Sequence, residues 1–227
     1  MKTWLNAVLA ACASLVAGTA APQSFNVDLD GLFFPGPPSP TGVPRPSFGA
    51  AAEQPGLWNQ VYILARGPIP LQDISGRWTG ATYTAWGGVG TGGGWANPRW
   101  SLGEVNDDFW LLMGDAANIG PPFAPHQIMP PPSLTVYTFD GLRPGLYEIY
   151  TYAVRPIPRH VPVAVTVPDA ETENPQLSTG PLPSDWQFRR GITHTVHRAV
   201  VAGRLEIRTT GEFPYAYVNG FQIVKVK

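Results

Sequence analysis

The chain has 227 residues, 44% hydrophobic and 14% charged, with a formal net charge of −1. That charged fraction lies well below the roughly 25% usual for globular domains, and no basic cluster exceeds the pair Arg189-Arg190, which excludes the concentrated positive face a nucleic-acid groove needs. The 25 glycines and 26 prolines exclude long helices, while eight tryptophans supply apolar mass that a disordered chain lacks.

At the N-terminus, Lys2 precedes an apolar run over 4–16, broken by Asn6 and Ser14, and then Ala17-Gly18-Thr19-Ala20-Ala21. A positive start, an apolar stretch and small residues before a cut describe a secretory signal peptide over 1–20. Cleavage after Ala20 leaves a mature chain, 21–227, read as one domain. The run is too short for a membrane span, so no transmembrane segment is expected. The predicted destination is secretion, the cell surface or the periplasm. The sole cysteine, Cys12, follows Leu9-Ala10-Ala11, and lipoprotein anchoring there is the alternative. With Cys12 removed, stability must come from core burial and not from disulfides.

Phe25, Val27 and Leu29 alternate with Asn26, Asp28 and Asp30, the period of a half-buried strand. The prolines of 35–46 cannot sit in a central strand and predict a surface loop. A second strand is expected over 57–62, then a hairpin of 69–74 and 77–83 around Ser75-Gly76. The segment 85–100 sets Trp86, Trp95 and Trp100 among glycines. Neither a following Lys-Ser/Thr nor a strand–helix frame accompanies those glycines, so a phosphate loop is excluded. One helix is predicted over 106–118, capped by Asn106, favoured by Asp107 and Asp108, and ended by Gly120-Pro121. After a proline-rich loop, 121–132, strands are expected over 134–139, 146–154, 161–167, 195–201, 205–209 and 217–226. Short strands at this spacing predict an all-β sandwich or jelly roll with one short helix and long Pro/Gly-rich loops.

Three stretches carry a resemblance. They are Tyr137-Thr138-Phe139-Asp140-Gly141-Leu142-Arg143-Pro144-Gly145 with the Tyr-rich strand up to Tyr152, the closing 216–224 with Asn219-Gly220-Phe221-Gln222-Ile223, and the opening strand with 50–59. In their order along the chain they resemble a bacterial family of exported galactose-binding-like β-sandwiches. The resemblance covers most of the mature chain and implies a jelly-roll fold more than a function. The Gly/Trp segment and the two proline-rich loops depart from the family. Such folds often hold a structural Ca²⁺ near the first and last strands. The resemblance makes Asp28, Asp30 and Glu212 its donors, and carboxylate oxygens suit a hard cation. The alternative is that these carboxylates face solvent and discourage edge pairing. No other cofactor is required.

The ligand-binding candidates are Trp86, Trp95, Trp100, Trp110 and Tyr83. Indole rings offer flat apolar faces with one polar N–H, and loops at a sandwich's end commonly carry binding residues. The alternative is that the rings plug the open end of the sandwich. Glu104, Asp107, Asp108 and Asp115 cluster in sequence, but a helix N-terminus accounts for Asp107 and Asp108 without glycosidase chemistry. His194 and His197 stand three apart, hence on opposite faces of a strand, and read as surface or strand-edge residues. No G-x-S-x-G elbow occurs. The expectation is a non-catalytic exported sandwich that binds carbohydrate through aromatic loop residues. The alternative is a structural or assembly protein of the cell envelope or an extracellular complex. A glycan-active enzyme ranks behind both.

Overall fold

A computed structural model describes residues 23–30, 42–62, 67–87, 107–114, 116–119, 133–154, 161–212 and 216–226. The expected signal segment and Cys12 lie outside them, as do Trp95, Trp100, Glu104 and Asp115. The architecture is an all-β sandwich. One layer has five strands: β1 (Phe25–Asp30), β2 (Trp58–Tyr62), β7 (Gly145–Tyr152), β10 (His194–Val201) and β13 (Gly220–Lys225), in the order β10-β7-β13-β1-β2. The other has six: β3 (Ile69–Gln72), β4 (Trp78–Trp86), β6 (Ser133–Asp140), β8 (Val163–Thr166), β9 (Gln176–Ser178) and β11 (Arg204–Gly211), in the order β3-β4-β6-β11-β8-β9. Pairing is antiparallel except between β1 and β2.

The period-2 pattern sends every second side chain between the layers. Phe25, Val27 and Leu29 of β1 meet Tyr147 and Ile149 of β7, Phe221 and Ile223 of β13, and Tyr83, Tyr137, Phe139 and Ile207 from the six-stranded layer. Two turns show why their glycines are needed. Gly76 has φ +82°, beside Asp73, whose carboxylate accepts from the backbone N–H of Ser75 and Arg77. Gly141 joins β6 to β7 at φ +73°, and a Cβ there would stand 2.7 Å from the carbonyl oxygen of Gly80.

Three expectations need correction. The helix, α1, covers Asp107–Met113 and not 106–118. Gly114 packs so closely on Trp110 that a Cβ would lie 2.5 Å from its carbonyl oxygen, and Ala117–Asn118 then forms a short strand, β5. The last predicted strand is interrupted: β12 (Tyr217–Val218) pairs with β5, and β13 resumes after Asn219. The Asn219 backbone still bonds to Tyr152 and Leu29, while its side chain accepts from Val154 N–H and donates to the Met113 carbonyl, which ties the end of α1 to the residues just after β7. Finally, His194 and His197 stand on β10, at the edge of its layer, but are buried and not at the surface. His197 points between the layers, whereas His194 packs on the outer side against Tyr150, Tyr152 and Phe188. Among the described residues, no helix is long and apolar enough to cross a membrane.

Candidate ligand-binding groove

The outward face of the five-stranded layer carries a second apolar cluster. Trp58 and Tyr152 project from the sheet. Phe109, Leu112 and Met113 of α1 meet them, joined by Phe48, Leu182, Trp186 and Phe188 from two loop segments. Burial on both faces explains why β7 reads Tyr147-Glu148-Ile149-Tyr150-Thr151-Tyr152, with aromatic residues in both registers.

Polar side chains of the sheet fix the first loop segment, 43–56. Tyr152 Oη donates to Gln222 Oε1 at 2.5 Å and accepts from Ala51 N–H at 2.9 Å. Gln222 Nε2 donates to Asn26 Oδ1 at 2.9 Å and to the Gly49 carbonyl at 3.0 Å, while its Oε1 accepts from Ala52 N–H. Burial pushes the Tyr152 phenol far above its ordinary range, so it stays a neutral donor. Asp108, at the start of α1, accepts from the Arg45 backbone N–H at 2.8 Å and from its guanidinium at 2.9 and 2.7 Å. A charge-assisted fork of this kind clamps the loop to the helix. The second segment, 182–188, is braced by the Asp185–Arg189 ion pair.

Between these segments lies a groove of about 420 Å³, within the range of small-molecule sites. Phe48, Phe109, Trp186 and Phe188 form its aromatic wall, and Ser47, Glu53 and Gln187 bring polar groups to it. The rings interlock: Phe109 and Phe188 centroids are 4.7 Å apart, Phe109 and Trp186 5.8 Å, and Phe48 and Phe188 6.1 Å. The backbone is strained at the same place. Four non-glycine residues among those described have φ in the left-handed region, and three line this groove: Ala50 (+46°), Glu53 (+51°) and Trp186 (+57°). Each such residue costs on the order of 1–3 kcal/mol, and strain of this kind clusters at ligand clamps.

Of the predicted ligand-binding residues, the three that are described, Trp86, Trp110 and Tyr83, do not come together. Trp110 is 3% exposed, its ring perpendicular to Trp186 at 6.1 Å, so it backs the groove wall. Tyr83 is also 3% exposed but lies between the layers against Tyr137 and Phe139. Trp86 is 64% exposed on the outward face of the six-stranded layer, the opposite side of the sandwich. A shallow depression there is lined by Trp86, Leu134, Val136, Thr138, Arg204, Glu206 and Arg208. Asp28 is fully buried on the outward face of β1, whereas Glu212 is exposed just beyond the end of β11 in the other layer. The Asp30 side chain lies outside the described residues. No three His, Cys, Asp or Glu side chains among the described residues gather as a metal site.

Sequence reasoning passed over Phe48, Trp186 and Phe188. Their one signal was aromatic residues inside Pro/Ser-rich stretches, Pro46-Ser47-Phe48 and Pro183-Ser184-Asp185-Trp186-Gln187-Phe188, where a loop has no core of its own to fill. Comparison with protein families, curated proteins and solved structures finds no match to this chain.

Proposed function

We propose that the protein is an exported, non-catalytic, galactose-binding-like sandwich that binds carbohydrate in the groove between 47–55 and 186–188. The observation that carries this reading is the coincidence of the partly exposed rings of Phe48, Trp186 and Phe188, polar rim groups and three strained backbone positions in one concavity. Aromatic faces cover the apolar faces of sugar rings, while a few fixed polar groups orient the hydroxyls. Loops held by a rigid sheet are the usual carriers of such sites.

A glycan screen on the protein lacking residues 1–20, followed by calorimetry on each hit, tests this. Phe188→Ala is expected to weaken binding by at least tenfold, because both a stacking face and its support for Phe109 and Phe48 are lost. Trp86→Ala, on the other side of the molecule, is expected to leave affinity unchanged. The reverse pattern would remove the groove from consideration.

The second reading, an assembly protein, is favoured by a different observation. Trp78 and Trp86 near the two ends of β4 are 68% and 64% exposed, with Leu134 also exposed beside Trp86. Protein interfaces favour aromatic anchors. This reading requires a concentration-dependent increase in sedimentation coefficient that Trp78→Ser with Trp86→Ser abolishes. A monomer at every concentration rejects self-assembly.

A further inference from the structure

We propose that the groove prefers a sugar bearing a protonated amine, with Glu53 as its counter-ion; this rests on the carbohydrate reading above. Around the groove, the other charged side chains are already engaged. Arg45 grips Asp108, Arg189 grips Asp185, and Arg190 turns to Gln176 Oε1 and the Val196 carbonyl. Away from it, Asp73, Asp140, Glu171 and Glu206 each hold an arginine.

Among the described residues, Glu53 is the one charged residue lining the groove, and its carboxylate forms no ion pair or hydrogen bond there, its charge being felt by the nearby Tyr150 phenol. Its backbone is held at φ +51° at the end of the 3-10 turn Ala50–Ala52, with its own N–H bonded to the Ala50 carbonyl at 3.3 Å. The turn is in turn pinned to Gln222 and Tyr152. The buried network thus fixes the backbone of Glu53, and its exposed side chain lines the groove that Phe48 and Phe188 also line. An ammonium group between an acid and aromatic faces gains both a direct ion pair and attraction to the ring quadrupoles. A neutral hydroxyl at the same point gains neither. The same geometry disfavours acidic sugars, whose carboxylate or sulfate would face Glu53.

Calorimetry with three oligosaccharides of equal length decides the matter: fully deacetylated glucosamine oligomers, their N-acetylated counterparts, and glucose oligomers. The deacetylated ligand is expected to bind roughly tenfold more tightly than either neutral one, with the margin shrinking as salt rises. Glu53→Gln is expected to erase that margin, so that the deacetylated ligand binds no more tightly than the neutral ones. Glu212→Gln, an exposed acid elsewhere, controls for general attraction between a polycation and the protein. Equal affinity for all three ligands, or a margin that survives Glu53→Gln, overturns the proposal while leaving the carbohydrate reading in place. Binding of none of the three, or binding indifferent to Phe188→Ala, overturns both.

Discussion

His197 shows how one side chain sets a condition on the whole fold. It lies between the layers on β10, opposite Ile149 of β7, and neither ring nitrogen has a well-formed hydrogen bond among the described residues, although the Val165 backbone is near. Burial, aided by Arg190, holds its pKa down at about 4, and the same two causes hold His194 at about 4. In the unfolded chain both imidazoles take a proton near 6.5. Stability is therefore complete above pH 6.5 and is lost as pH falls toward 4, below which both states are charged and the loss levels off. Melting temperature measured from pH 7.5 to 4 should fall through that window. The combined His194→Gln and His197→Leu protein should show a flatter profile. An unchanged slope would mean that other groups control the acid response. Asp73 acts in a lower window: its pKa is lowered, with burial opposed by the larger sum of hydrogen bonds from Ser75 and Arg77 and the Arg77 charge, so its contribution disappears only below about 3.8.

Among the elements, α1 and the 43–56 segment act as a cover on the five-stranded layer, and Asp108 is the joint between them. Asp108→Ala leaves three donors of Arg45 without their acceptor and removes a charge-assisted bond, a loss of roughly 1–3 kcal/mol. Urea unfolding should register that drop while the far-ultraviolet spectrum keeps its β form. A midpoint within error of the parent would show that the apolar contacts of Phe109 and Leu112 alone seat the helix. The element scale is also where sequence legibility divides. Alternation of apolar with polar residues, or a turn glycine that admits few alternatives, located β1, the β3–β4 hairpin and the run β6–β7, although the outward face of β1 is itself covered and β4 runs on to Trp86, which the sequence pattern groups with the Gly/Trp segment. It overran α1, because Met113-Gly114 gives no hint that the backbone of Gly114 closes onto Trp110. It missed β9, three residues between a proline turn and a Gly-Pro pair. It merged β12 with β13, since the role of Asn219 depends on partners at Met113 and Val154. The groove was hidden for a related reason. Phe48, Phe109 and Phe188 are about 60 to 80 residues apart in sequence, and nothing local says they converge.

At the scale of the molecule, the chain folds back on itself over nearly its full described length. β1 pairs with β13 in the register Phe25 to Ile223, and β13 also pairs with β7, so a late segment occupies the middle of the layer. Ending the chain after Val218 removes the strand that joins β7 to β1 and should leave a product without cooperative unfolding, as read by hydrogen exchange and thermal melting. Cooperative melting of that fragment would show that the six-stranded layer stands by itself. Long-range pairing of this kind also predicts refolding in milliseconds to seconds and not microseconds.

That placement of β13 fixes the timetable of biogenesis. While the ribosome is still translating, β1 and β7 wait with open backbone edges, and no earlier-made segment fills the gap between them. The five-stranded layer is thus kept unfinished until residues 220–225 have been made, and its open edges stay exposed to unwanted pairing through all that is translated before them.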